Sequence, residues 1–182
     1  LPALDRDESR FAQASRQMVE SGDLVDIRFG QVPRYKKPVG IYWLQAAATS
    51  VADSFPGVDD HQIWTYRLPS LLGAIAAAWL TVWCALALTG AGTAFLAGLL
   101  MLGTVLLTGE ASIATTDAVL LATMLAMQGV LIRVWRAARV EGAPAVSSRL
   151  VMAGWAAMAA GILVKGPVPP ALAVLTVAGL VA

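Results

Sequence analysis

The chain has 182 residues, 58% of them hydrophobic and 14% charged, with a formal net charge of +1. A soluble globular domain carries about 25% charged residues, so most of this chain cannot be an ordinary water-facing fold. The balanced charge also excludes a nucleic-acid partner, which would need a basic patch. The charges are unevenly placed: 17 of the Lys, Arg, Asp and Glu lie between Asp5 and Arg67, and the other 8 are spread over residues 68–182. Cys84 is the single cysteine and sits in an apolar run, so no disulfide within the chain is possible.

Residues 1–67 read as a polar segment with two short helices. Asp7 is placed as the N-cap of the first, with Glu8 in its first turn. Phe11, Ala14, Met18 and Val19 share one face, and Gly22 ends the helix. An irregular stretch, 23–37, follows. Pro38 opens a second helix through Ile41, Tyr42, Trp43 and Leu44 to about Asp53. Pro56-Gly57 is a turn, and Asp59 or Asp60 caps the next helix. His61, alone beside two acids, reads as a solvated loop residue, since one histidine makes no metal site. Trp43, Trp64 and Tyr66 suit a membrane interface, which places both short helices on the bilayer surface.

Crossing the hydrocarbon takes about 20 apolar residues. Residues 68–88 meet this without a charge, and 94–108, 118–132 and 150–164 are further apolar runs. A run at 168–182 begins a fifth span that the chain's end truncates. Both ends of the chain look like cuts in a longer protein. Between the runs lie the turn 89–93, the polar interruption 110–117 and the loop 133–149. The fold class is therefore all-α and polytopic, with 1–67 preceding about five transmembrane helices. Arg133, Arg136, Arg139 and Arg149 crowd one loop, which the positive-inside tendency assigns to the cytoplasm. Alternation then makes 1–67, 110–117 and 165–170 extracytoplasmic.

Three polar clusters thus share one side: Asp7-Glu8 with Arg10, Arg34 with Lys36-Lys37, and the pair Asp117 and Lys165. They suggest one site at the membrane surface. Plainer readings stand beside it. Asp7 and Asp117 also read as helix caps. Lys36 and Lys37 fit among anionic head groups, and Lys165 fits a span end from which it snorkels. Trp79, Trp83 and Trp155 read as packing or interface residues.

Asp7-Glu8, Arg10-Phe11, Ser21-Gly22-Asp23, Lys37-Pro38 and Tyr42-Trp43, in this order and spacing, resemble the first extracytoplasmic loop of lipid-carrier-dependent glycosyltransferases of the GT-C type. The likeness is to the aminoarabinose transferases of lipid A and, more distantly, to protein O-mannosyltransferases. Arg67-Leu68-Pro69-Ser70, Thr116-Asp117 and Lys165-Gly166-Pro167 resemble family segments at the matching membrane ends.

The resemblance implies an inverting sugar transfer, outside the cytoplasm of a bacterium, from a polyprenyl-phosphate carrier of the undecaprenyl type to a lipid or protein acceptor. It implies Asp7 as the catalytic base and Lys37 as the cation at the departing phosphate. Glu8, Arg10, Phe11, Tyr42 and Lys165 are the matching candidates for substrate contacts. One departure matters: relatives that modify lipid A have Glu-Lys-Pro where this chain has Lys36-Lys37-Pro38. That acid is associated with a divalent metal in some relatives. A charged Lys36 cannot be a ligand, so no metal is carried over. Arg34 likewise replaces an aromatic.

Rival functions are a transporter, which would place ionisable residues inside its spans, and a non-catalytic assembly protein in the membrane. The apolar runs hold no ionisable residue, which favours surface chemistry on a lipid-borne substrate.

Overall fold

A computed structural model describes residues 5–57 and 62–181. The expected caps Asp59 and Asp60, and His61, lie outside these residues. Helix α1 (Arg6–Ser21) is amphipathic and ends at Gly22 in the left-handed conformation. Its N-cap is Asp5, not Asp7: the Asp5 carboxylate accepts from the Asp7 amide at 2.6 Å. The capping position sits two residues earlier because Asp5 is extended while Arg6 already begins the helix.

The expected irregular stretch contains a small antiparallel hairpin, β1 (Arg28–Phe29) with β2 (Val32–Pro33), pairing Phe29 with Val32. Gln17 of α1 clasps its turn, accepting from the Gly30 amide at 2.9 Å and donating to the Gly30 carbonyl at 3.3 Å. Helix α2 (Gly40–Ala52) starts two residues beyond Pro38, which therefore precedes the helix rather than opening it. Phe11, Ala14 and Met18 of α1 pack on Ile27 and on Ile41, Tyr42 and Ala46 of α2, and Val119 closes this small core from the membrane side.

Helix α3 (Ile63–Leu86) starts before the expected span and carries Pro69 within it, so the junction placed at 67/68 falls inside one continuous helix. Tyr66 is a core residue against Ala12 and Ala114, not an interface aromatic, whereas Trp43 and Trp64 are partly exposed. The apolar run 94–108 is broken into α4 (Ala91–Leu102) and α5 (Val105–Ala111), bent by 61°. Helix α6 (Asp117–Arg139) extends seven residues past the expected span, which makes Arg133, Arg136 and Arg139 helical. They are not wasted there. Arg133 lies 3.7 Å over the Trp83 ring and donates to the Trp83 and Gly129 carbonyls, and Arg136 donates to the Ala87 carbonyl. These bonds cap the carbonyl end of α3 with positive charge.

Helices α7 (Ser148–Lys165) and α8 (Val168–Val181) complete the chain. By length and apolarity α3, α6 and α7 can each cross a membrane, as can the bent α4–α5 pair taken together, while α8 is shorter. The helices approach closely where glycine allows it. A Cβ on Gly73 would lie 2.8 Å from the Val119 amide nitrogen, so α3 and α6 touch backbone to backbone. The outward faces of Trp79, Phe95, Leu99, Trp155 and Leu175 are exposed, as lipid-facing residues must be.

Candidate active site

The three polar clusters converge at one end of the bundle, where α1, α2 and the hairpin cover the start of α3, the α5–α6 loop and the α7–α8 junction. The two adjacent acids at the start of α1 have opposite fates. A helix turns about 100° per residue, so Asp7 faces solvent while Glu8 is fully buried.

Glu8 accepts from Arg67 Nε at 2.7 Å and Nη2 at 3.2 Å, and from the Ala114 amide at 3.0 Å. Gln45 of α2 accepts from Ser15 of α1 at 2.7 Å and donates to the Ala114 carbonyl at 3.3 Å. Ser70 donates to the Thr115 carbonyl and accepts from its amide, and Glu110 accepts from the Thr115 hydroxyl at 2.6 Å. The loop before α6 is therefore held by four helices, α1, α2, α3 and α5. Burying Glu8 would be costly alone, but its charge is fully matched. Gln45 carries no sequence signal of a role, and Ser70 and Glu110 are visible only as members of a family-like segment and of the polar interruption 110–117. Partner choice was not legible.

Asp7 pairs with Arg10 at 3.3 Å, one turn on, and otherwise presents an open carboxylate. It does not cap α1; its place in the first turn and its pair with Arg10 are its local contributions to the helix. The Phe11 and Tyr42 rings meet at 5.5 Å between centroids, both buried, and the Arg34 guanidinium lies 5.7 Å above Phe11. Burial raises the pKa of the Tyr42 hydroxyl; the Arg34 guanidinium beside it opposes this and the Asp7 charge adds to it. Arg34 Nε and Tyr42 Oη are each buried without a hydrogen bond of acceptable geometry. Tyr42 thus stays a neutral hydroxyl near pH 7, within the field of both Asp7 and Arg34.

Lys165 pairs with Asp117, joining the ends of α7 and α6. Asp117 lies in the first turn of α6 and makes no capping bond; its carboxylate is spent on the lysine. Lys165 in turn has a partner and does not simply snorkel. The start of α2 meets the end of α7 closely: a Cβ on Gly40 would stand 2.6 Å from the Leu163 carbonyl oxygen. This contact brings the Lys36-Lys37 loop to the α7 end that carries Lys165. Lys37 is half-buried and Lys36 exposed, and neither bonds Asp7 or any other carboxylate among the described residues. The residues at this place do not fit a divalent cation. Lys36 and Arg34 are cations, and the described residues hold no group of three His, Cys, Asp or Glu.

No family model matches the chain. It is 32% identical over 118 residues, 64% of its length, to an undecaprenyl phosphate-alpha-4-amino-4-deoxy-L-arabinose arabinosyl transferase of Aeromonas salmonicida. It superposes over 98% of its length, at 29% identity, on crystal structures of ArnT from Cupriavidus metallidurans. The TM-score is 0.80 for the apo state and 0.81 for the form bound to undecaprenyl phosphate. The chain has the ArnT fold. Its resemblance to GT-C glycosyltransferases is thereby shown, as is the all-α polytopic architecture. The chain spans 20% of the length of the curated relative and 32% of the ArnT structures. Like ArnT, it is a multi-pass membrane protein.

Proposed function

We propose that the protein transfers a sugar from a polyprenyl-phosphate carrier to an acceptor at the membrane surface, with Asp7 as the general base. The observation that carries this reading is the placement of Asp7. It is an exposed carboxylate that caps nothing, close to Tyr42 as Arg34 is, on a fold shared with a structure bound to undecaprenyl phosphate. In the step, the acceptor oxygen attacks the anomeric carbon from the face opposite the phosphate. Its proton passes to Asp7, and the bond from the anomeric carbon to the phosphate oxygen breaks. The carrier leaves as polyprenyl phosphate, and the configuration inverts. A base within hydrogen-bond reach of the attacking hydroxyl contributes about 10²–10⁴ in rate.

Lys37, half-buried and unpaired, is assigned to the growing charge on the departing phosphate. Arg10 orients Asp7 through their ion pair. Phe11 and Tyr42, expected from the resemblance to touch substrate, are buried and stacked on each other, and they act by seating α1 on α2 beneath the site. Glu8 acts through Arg67 and the Ala114 loop. Lys165, with Asp117, sits at the membrane end of the site where a lipid phosphate would arrive. The segment before α3 forms the extracytoplasmic cover and the helices from α3 onward the membrane part, in a bacterial inner membrane with Arg133–Arg139 towards the cytoplasm. Lipid A modification and protein O-glycosylation are both acceptor classes of this reading.

The charged residues of the candidate spans lie within two turns of a helix end: Arg67 in α3, Glu110 in α5, Asp117, Arg133, Arg136 and Arg139 in α6, and Arg149 and Lys165 in α7. That distribution favours surface chemistry over a transport path through the bundle. The test is transfer of labelled sugar from a polyprenyl phosphate by the intact protein in nanodiscs. Lys37→Gln should lose about 10²–10³ in kcat, the loss typical of removing a donor to a developing anion. Full activity in Lys37→Gln would remove the lysine from the site.

A further inference from the structure

Helix α2 turns a partly polar face inward. Gln45 and Thr49, one turn apart, are both fully buried beside the apolar Ile41 and Ala46. An apolar side chain would fill either place, and cores accept such exchanges with loss of uniqueness before loss of stability. A buried amide or hydroxyl is more demanding. It needs partners in particular directions, and so it admits one arrangement of the elements around it.

The partners of Gln45 come from two other parts of the chain. Its Oε1 accepts from the Ser15 hydroxyl of α1 at 2.7 Å, and its Nε2 donates to the Ala114 carbonyl at 3.3 Å. The Ala114 amide donates in turn to Glu8 of α1 at 3.0 Å, so both backbone polar groups of Ala114 are held from the cover. A carbonyl only accepts, which fixes the end of the amide that faces it. Glutamine meets both demands. An ionised glutamate could not donate to Ala114, and a methionine could meet neither partner.

Each part joined at Gln45 leads to one group of the candidate site. Helix α1 carries Asp7. Helix α2 continues the loop that holds Lys37. Ala114 stands three residues before Asp117, the partner of Lys165. Thr49 is different: its hydroxyl meets that of Thr65 at 3.1 Å and joins α2 to α3 alone.

We propose that Gln45 is a positioning residue for the transfer reaction. It sets α1, α2 and the entry to α6 in the one register that brings Asp7, Lys37 and the Asp117–Lys165 pair to a common substrate. Being fully buried, it touches no substrate itself. The inference rests on the transferase reading above and adds to it a residue outside the reacting groups.

The experiment measures transfer of labelled sugar from a polyprenyl phosphate by the intact protein in nanodiscs, per folded molecule, for wild type, Gln45→Met and Thr49→Val. Both substitutions roughly keep side-chain size, and both remove buried hydrogen bonds of α2. Displacing reacting groups by about 1 Å can cost about 100-fold in rate, so Gln45→Met should lose about 10- to 100-fold in kcat, with a smaller change in the KM for the donor. Thr49→Val should keep the wild-type kcat. A wild-type kcat in Gln45→Met overturns the inference. So do equal losses in the two variants, and so does a change confined to KM. If Gln45→Met does not fold, Ser15→Ala severs the α1 link alone and should lose kcat in the same direction; a wild-type kcat there overturns the inference. Absence of transfer by the wild type is a separate outcome: it overturns the transferase reading, and this inference falls with it.

Discussion

Asp7 and Glu8 are neighbours of the same charge, yet one helical step separates a solvent-facing carboxylate from a fully buried one. Glu8 is held on three hydrogen bonds from Arg67 and Ala114, two of them charge-assisted through the guanidinium. Removing one partner leaves the other buried and uncompensated, which costs roughly 3–5 kcal/mol. Arg67→Ala should therefore lower the unfolding free energy by about that much, measured by reversible denaturant titration in detergent micelles. An effect under about 1 kcal/mol would mean that the pair is solvated. The sequence displayed the acid pair and Arg67 as separate features. It could not display that Glu8 reaches across 59 positions to Arg67, because nothing in local periodicity encodes a long-range partner.

At the scale of elements, the long helices were legible because apolar runs of this length have few other fates. Their ends were not. The arginines after Ile132 looked like a loop, but side chains that bond the carbonyls at the end of α3 allow α6 to continue. The hairpin was invisible because strands of two residues have no period to detect. It has its own acid sensitivity. Backbone amides of Asp26 and Val25 lower the Asp23 pKa, and the Tyr35 hydroxyl, then Arg28, lower that of Asp26. Groups with depressed folded-state pKa values stabilise the folded form above the ordinary carboxylate range, and that contribution is lost as pH falls through the lowered values. Amide exchange of residues 22–35, corrected for intrinsic rates, should accelerate below about pH 4 relative to α1. Unchanged protection at pH 3 would contradict this. The meeting of α2 with α7 makes a sharper prediction. Gly40→Val must push Leu163 away, at a cost typical of overpacking, about 1–3 kcal/mol. It should reduce transfer activity more than the equally bulky change Gly90→Val, which meets nothing within 4 Å. Equal activity in the two variants would show that the loop's seat on α7 is not needed.

For the whole molecule, charge placement and parity put three clusters on one side of the membrane, and the fold brings them to one end of the bundle. The sequence could not show how they join. The joints are Gly40 on Leu163, Gln45 on Ala114 and Lys165 on Asp117, each made between elements far apart in the chain. The apolar cleft lined by Met101, Leu107, Leu120 and Leu121, with Glu110 and Asp117 at its rim, opens beside this end, so a lipid-borne substrate has an apolar approach to the surface site. The proposed chemistry depends on the exposed carboxylate of Asp7. Transfer of labelled sugar from a polyprenyl phosphate by the intact protein in nanodiscs, compared between wild type and Asp7→Asn at matched folded amounts, tests it directly. A loss of about 100-fold or more in Asp7→Asn, with stability unchanged, is the predicted result for a general base. Equal transfer by the two proteins would contradict it and return Asp7 to the helix surface as a solvated acid paired with Arg10.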